Sequence, residues 1–282
     1  MTVFVFSNLY KDHGLVVTRQ AAQMLLRQGA KVILLQECRA LCELPMVEYL
    51  PQEQAFQKAD LVVSVGGDGT LLHAGKECIR YDLPILGINA GRLGFLATCE
   101  VDELSRKIVQ IMAGDYELDE RQMLDCHTIG SVQWHATALN DVVVYAENRL
   151  QTADFSIHCD GILVNRFSSD GVIIATPTGS TAYSLSAGGP IMDAHIAGFV
   201  VTPICAHSLK SPAMVFSADR KLTVSAVPRF GDTVYVSSDG SEKCALALDS
   251  TVEVALSSKK LKLISLSPAE QFEAIDKKLM GR

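Results

Sequence analysis

The sequence predicts an α/β N-terminal domain with an open, mainly parallel sheet, followed by a predominantly antiparallel β domain. Three observations predict it. Over roughly residues 1–116, β-branched runs alternate with stretches of helical periodicity. From 117 to 267, short alternating runs separated by turn residues take over. The length, 282 residues with 48% hydrophobic, suffices for two cores of ordinary size.

TVFVF (2–6) reads as a first buried strand; no basic residue precedes it, so a secretory signal is not expected. Residues 15–30 carry apolar positions at helical spacing and reach Gly29 as a C-cap. KVILL (31–35), LVVSV (61–65) and PILGI (84–88) are the next strands, and TLLHAGKECIRY (70–81) and VDELSRKIVQIMAG (101–114) are helices. Strands alternating with helices imply a parallel sheet covered on both faces. In the second part the runs are HATALNDVVVYA, DFSIHCDGILVNRF, LTVSAV, DTVYVSS, STVEVALSS and KLKLISL. Asp160-Gly161 between two alternating runs signals a hairpin. The tail, 268–282, is amphipathic and is expected to pack as a helix on the first domain.

Composition removes several function classes. A net charge of −7 argues against a nucleic-acid partner, which would want a basic face. Phosphorylated small molecules remain open, because backbone N–H groups supply local positive potential. IAGFVVTPIC (196–205) contains Pro203 and is about half the roughly 20 residues that span a bilayer, so no membrane partner is expected. Eight scattered cysteines without a CxxC pair point to a reduced, cytoplasmic protein. Cys38 and Cys42 lack a second ligand pair, and no metal site is expected there.

The chemistry is concentrated in LVVSVGGDGTLLHA (61–74), where three glycines in four positions separate a strand from a helix start. No Gly-Lys-Ser/Thr follows, and the dinucleotide fingerprint G-x-G-x-x-G is absent. Glycines there suit a loop that admits phosphates. A carboxylate amid phosphates would be repelled unless a cation or a proton transfer justified it. Phosphoryl transfer to a hydroxyl needs such a group as base, so Asp68 suggests a kinase with a hydroxyl acceptor. A helix N-cap at Asp68 fits locally as well.

GGDGT, LGINAGRLGFLA (86–97), LNDVVV (139–144) and DGVIIATPTGSTAYSLSAGGPI (170–191) together resemble the ATP-dependent NAD kinase family, in family order and spacing. GGDGT alone is shared with lipid kinases; the segment TPTGSTAYSLSAGGP is long and specific. The resemblance implies an NAD kinase-like fold and an enzyme that phosphorylates the 2′-hydroxyl of the adenosine ribose of NAD, with ATP and Mg²⁺ or another divalent cation, giving NADP. It makes Asp68 the general base and Gly66, Gly67, Gly69 and Thr70 the phosphate loop. Phe95, beside Arg92, would lie against the dinucleotide. Asn140 and Asp141 would hydrogen-bond NAD; Asp170 would meet its nicotinamide end; Thr181, Ala182, Tyr183 and Ser186 would line the adenosine site. Residues 117–267 would then be the NAD-binding domain, in a homodimer or homotetramer. A non-catalytic dinucleotide sensor and a lipid or sugar kinase are the rival readings.

His73, His195 and His207 are read as structural, and Asp239-Gly240 as either a hairpin turn or a feature near the active site. The chain departs from the family pattern at Ser168, where a basic residue is usual, and at Ser241, where Gln is usual. It departs again after His207, where KSPAM (210–214) stands near the place of an Arg-Pro pair.

Overall fold

A computed structural model describes residues 1–280 except positions 92–93, 149–151, 209–210, 230, 241 and 268. The chain runs β1 (Thr2–Ser7), α1 (Val16–Arg27), β2 (Lys31–Leu35), β3 (Val47–Leu50), α2 (Gln52–Lys58), β4 (Leu61–Gly66), α3 (Asp68–Arg80), β5 (Ile85–Asn89) and α4 (Leu104–Ala113). It continues through β6 (Glu117–Ile129), β7 (His135–Ala138), β8 (Asp141–Ala146), β9 (Ala153–Cys159), β10 (Ile162–Ser169), β11 (Gly171–Ala175) and α5 (Tyr183–Ser186). Then come β12 (Gly198–Ile204), β13 (Met214–Ser217), β14 (Lys221–Pro228), β15 (Val234–Ser238), β16 (Glu242–Leu246), β17 (Thr251–Ser265) and α6 (Glu270–Ile275). Two compact units result: Met1–Glu120 with Leu261–Arg282, and Arg121–Lys260.

In the first unit the strands lie in the order β3-β2-β1-β4-β5, every pair parallel. The end of β17 joins β5 in parallel through Leu263 and Ile85. Two-residue periodicity divides β1 between two cores. Val3 and Val5 pack with Ala21 and Leu25 of α1 and Ile108 and Ile111 of α4. Phe4 meets the Phe56 ring of α2 edge-on at 5.0 Å and that of Phe6 at 5.9 Å. Central β4 is buried throughout, as a strand covered on both faces must be.

Residues 36–60 carry no periodicity that announces an element, yet they fold into β3 and α2. β3 is a four-residue edge strand with no fully buried side chain, which erases the usual signal. Its Tyr49 hydroxyl anchors the preceding loop, accepting the Leu44 N–H at 2.9 Å and donating to the Cys42 carbonyl at 2.5 Å.

The second unit contains an antiparallel six-stranded sheet, β13-β12-β11-β8-β15-β16. A second antiparallel set runs β10-β9-β14 and then the first half of β17. Val142, Val144, Val172, Ile174 and Val236 from the first meet Phe155, Ile157, Leu222, Val224, Val252 and Val254 from the second in one core. Asp160 (φ 50°) and Gly161 (φ 81°) make the β9–β10 turn with both residues left-handed, as a two-residue hairpin requires. The apolar run 196–205 becomes β12. β13 pairs only residues 198–201 of it, so the donor missing at Pro203 falls beyond that ladder. No helix among the described residues is long and apolar enough to cross a membrane.

Phe4 is completely buried between Phe6 and Phe56. Phe4→Ala should therefore lower stability by about 3–5 kcal/mol, read from urea unfolding followed by far-UV circular dichroism. A change below about 1 kcal/mol would mean that this aromatic layer does not hold α2 against the sheet.

Candidate active site

Strand β4 ends at Gly66, and Gly67 serves as N-cap of α3, its carbonyl accepting the N–H groups of Thr70 at 2.9 Å and Leu71 at 3.1 Å. The three glycines divide by role. A Cβ at Gly66 would lie 2.3 Å from the Thr70 hydroxyl, so close packing demands glycine there. Cβ atoms at Gly67 and Gly69 would meet nothing within 4 Å, and the φ of Gly67, −146°, suits any residue. The space in front of these two is open, beside the N–H groups of a helix start, where anions are favoured. Buried Thr70 accepts the Asn8 side-chain amide at 3.1 Å.

Asp68 is the first residue of α3, not its cap. Its carboxylate turns instead to the segment after β5. Oδ2 accepts the Phe95 N–H at 2.9 Å, and Oδ1 accepts those of Leu96 and Ala97, both at 3.0 Å. Gly94 leaves the room this needs, since a Cβ there would lie 1.9 Å from Oδ1. An ionised carboxylate offers about four acceptor positions. Backbone donors occupy two on Oδ1 and one on Oδ2. The remaining position belongs to Oδ2, and the side chain keeps 28% exposure, so solutes can reach it.

The second unit holds a cavity of about 590 Å³. Strand β8 presents Asp141, Val143 and Tyr145 to it, while Val142 and Val144 face the core. Thr176 draws the opposite wall close: its N–H donates to the Asn140 carbonyl at 2.9 Å and its hydroxyl to that of Leu139 at 2.6 Å. A Cβ at Gly179 would fall 2.0 Å from the Asn140 oxygen, which accounts for that glycine. Asp239, in a left-handed turn with Gly240 (φ 48° and 65°), repeats the device seen at Asp68. Its carboxylate accepts the N–H groups of Leu139, Asn140 and Asp141 at 3.0, 2.8 and 3.2 Å. Burial, and then the charge of Asp239, push the Asp141 carboxyl up to about 7.

Residues 4–116 match the model of the ATP-NAD kinase N-terminal domain, and 139–266 that of the ATP-NAD kinase C-terminal domain. The chain belongs to the NAD kinase family. The NAD kinase of Caldicellulosiruptor saccharolyticus is 34% identical over 279 residues, 99% of either chain. That of Nitrosococcus oceani is 33% identical, covering 93% of this chain and 90% of its own. Among solved structures, yeast NADH kinase complexed with NADH shares the fold at TM-score 0.88 and 23% identity, covering 100% of this chain and 87% of that one. The NAD kinase from Archaeoglobus fulgidus in complex with ATP gives 0.76 at 25% identity, covering 100% and 98%.

Of the residues singled out by the NAD kinase resemblance, Asn140, Asp141, Asp170, Ala182 and Tyr183 line the one cavity, joined by Asp239. Gly66, Gly67, Asp68, Gly69, Thr70 and Phe95 gather in the first unit. Thr181 commits its hydroxyl to the Thr178 carbonyl at 3.1 Å, and Ser186 is exposed; neither lines the cavity. His73 packs its ring 5.6 Å from Phe6, His195 donates its N–H to Asp193, and the N–H of exposed His207 donates to the Ser168 carbonyl. Arg92, Ser241 and Lys210 lie outside the described residues.

Sequence reasoning missed Tyr145, Ser237 and Lys243 in the cavity wall, and Lys278 beside Asp68. Tyr145 follows Asp141 and Val143 at strand spacing, a signal hidden by the unbroken VVV of 142–144. Ser237 and Lys243 are cross-strand partners, visible only once β15 and β16 are paired.

Folded Asp141 keeps its proton to about pH 7, whereas an ordinary aspartate loses it near 3.8. Between those values the folded state binds more protons, so the contribution of this group to stability falls as pH rises and is fully lost above 7. The melting temperature of Asp141→Asn relative to the parent should therefore climb between pH 5 and pH 8. A pH-independent difference would contradict the raised value.

Proposed function

We propose that Asp68 is the general base in transfer of the γ-phosphoryl group of ATP to the 2′-hydroxyl of the adenosine ribose of NAD, giving NADP. The chain is an ATP-dependent NAD kinase. The observation that carries the base assignment is the uncommitted acceptor position on Oδ2, in a carboxylate otherwise fixed by three backbone donors. A base so held needs no reorganisation when the hydroxyl arrives. The hydroxyl proton passes to Oδ2, the ribose oxygen attacks phosphorus, and ADP departs.

Open space at Gly67 and Gly69 lets the ATP phosphates approach the N–H groups that begin α3. The ATP held by the Archaeoglobus fulgidus relative supports this donor. Among the described residues no three His, Cys, Asp or Glu side chains group so as to hold a metal. The divalent cation enters with ATP, bound mainly by its phosphates, as part of the substrate. NAD occupies the cavity of the second unit. Asn140 bonds its adenine edge or ribose and Asp141 a ribose diol, and near neutral pH Asp141 can act as donor or acceptor. Tyr183 and Ala182, which line the cavity, take the adenosine end; Asp170 takes the nicotinamide end, and Phe95 lies against the dinucleotide. The working form is a cytoplasmic homodimer or homotetramer.

Asp68→Asn tests the reading. Turnover of ATP and NAD to NADP should fall by at least about 10²-fold while NAD binding persists. The amide NH₂ would face the Phe95 N–H, donor against donor, so a lower melting temperature is expected too. Undiminished turnover would reject Asp68 as base. Saturable NAD binding by the parent chain without NADP formation would favour a sensor.

A further inference from the structure

Phosphoryl transfer spreads negative charge over the oxygens of the group in flight, and an enzyme gains most from a cation fixed there beforehand. GGDGT carries no lysine or arginine. Among the described residues, the cationic group within ion-pair distance of Asp68 is that of Lys278, its Nζ 3.9 Å from Oδ2. The same ammonium lies 4.1 Å from the centroid of the Phe95 ring.

Lys278 belongs to a π-helical turn, Asp276–Met280, that continues α6. Polar contacts hold this tail beside the 95–97 segment. Lys277 donates to Glu100 at 3.0 Å. Glu270 accepts from Thr98 at 3.4 Å and pairs with Lys107, also at 3.4 Å. Lys107 is itself buried and bound to Glu103 at 3.2 Å. Helix α6 buries little beyond Ala274 and leaves Phe272 59% exposed. The tail is thus seated by charge and hydrogen bonds more than by apolar area.

Stability does not explain why an ammonium is held there. An ion pair between side chains 35% and 28% exposed adds little to stability. Nor is 3.9 Å a direct hydrogen bond, which would bring the atoms to about 2.7–3.2 Å. The Phe95 ring lies against the same ammonium and attracts it. The ammonium thus keeps donors for a further acceptor beside it, while Oδ2 keeps its acceptor position for a hydroxyl.

We propose that Lys278 is a catalytic residue of this kinase, binding the oxygens of the transferring γ-phosphoryl group while Asp68 takes the hydroxyl proton. The inference rests on the function proposed above. The hydroxyl O–H bond breaks, with the proton going to Oδ2, and an O–P bond forms. The bond from phosphorus to the β,γ-bridging oxygen breaks and its electron pair leaves with ADP. Lys278 keeps its protons throughout, and Asp68 returns its proton to solvent after product departs.

Steady-state kinetics of the full chain with ATP, Mg²⁺ and NAD, for the parent, Lys278→Gln and Lys278→Arg, provide the test. Lys278→Gln should lower kcat about 10- to 100-fold with KM for NAD changed less than about twofold and an unchanged melting temperature. Lys278→Arg should recover most of the loss, because the charge is kept. An unchanged or increased kcat in Lys278→Gln would overturn the inference; so would a loss matched by a lower melting temperature, or one that arginine does not repair. An inactive parent would overturn the functional reading and this inference together. An active parent with an unaffected Lys278→Gln overturns the inference alone.

Discussion

The two oxygens of Asp68 accept three consecutive backbone N–H groups, from Phe95, Leu96 and Ala97, and the packing around the glycine loop follows from that clasp. It ties the first turn of α3 to the segment after β5 so closely that side chains are excluded nearby. Gly94 stands against the carboxylate itself. A Cβ at Gly87 would lie 2.6 Å from Leu71 and 2.8 Å from the Ala97 backbone, and one at Gly66 would strike Thr70. These glycines exist for close approach. Gly67 and Gly69, by contrast, face open space. Asp239 makes the same clasp on residues 139–141, and Gly179 lies against the Asn140 backbone there.

Electrostatics inside an acidic chain are the second theme. With a net charge of −7, attraction for anionic nucleotides has to come from local donors. Helix N–H groups supply part of it. Among the described residues, Lys278 beside Asp68 and Lys243 in the cavity wall each lie over an aromatic ring: Lys278 over Phe95 at 4.1 Å, Lys243 over Tyr235 at 5.0 Å. Ring faces orient an ammonium without neutralising it, leaving its charge available to a substrate. Asp141 shows the converse. Burial next to another carboxylate holds its proton near neutrality, so a second negative charge is not forced into the cavity.

Much of this was legible in the residues. Buried strands β1, β2, β4 and β5 announce themselves by apolar runs, α1, α3 and α4 by periodicity, and the β9–β10 hairpin by Asp160-Gly161. Short half-exposed β3 was invisible, because an edge strand of four residues needs no apolar pattern. Local reading of Asp68 allowed an N-cap; the partners that matter lie 27 to 29 residues away, where no helix-start rule looks. Lys278 approaches from the other end of the chain on a helix held by ion pairs, which leave no hydrophobic trace. Burial of Asp141 is likewise a product of tertiary packing, since its neighbour Asn140 remains partly exposed.

The most direct test is a crystal structure of the chain with NAD and a non-hydrolysable ATP analogue with Mg²⁺, refined far enough to separate the oxygens of Asp68. Oδ2 is expected within about 2.6–3.2 Å of the ribose 2′-hydroxyl, with the N–H bonds from residues 95–97 retained. A hydroxyl placed on Oδ1, or lying beyond reach of either oxygen and of any bridging water, would contradict the assignment of Asp68 as base.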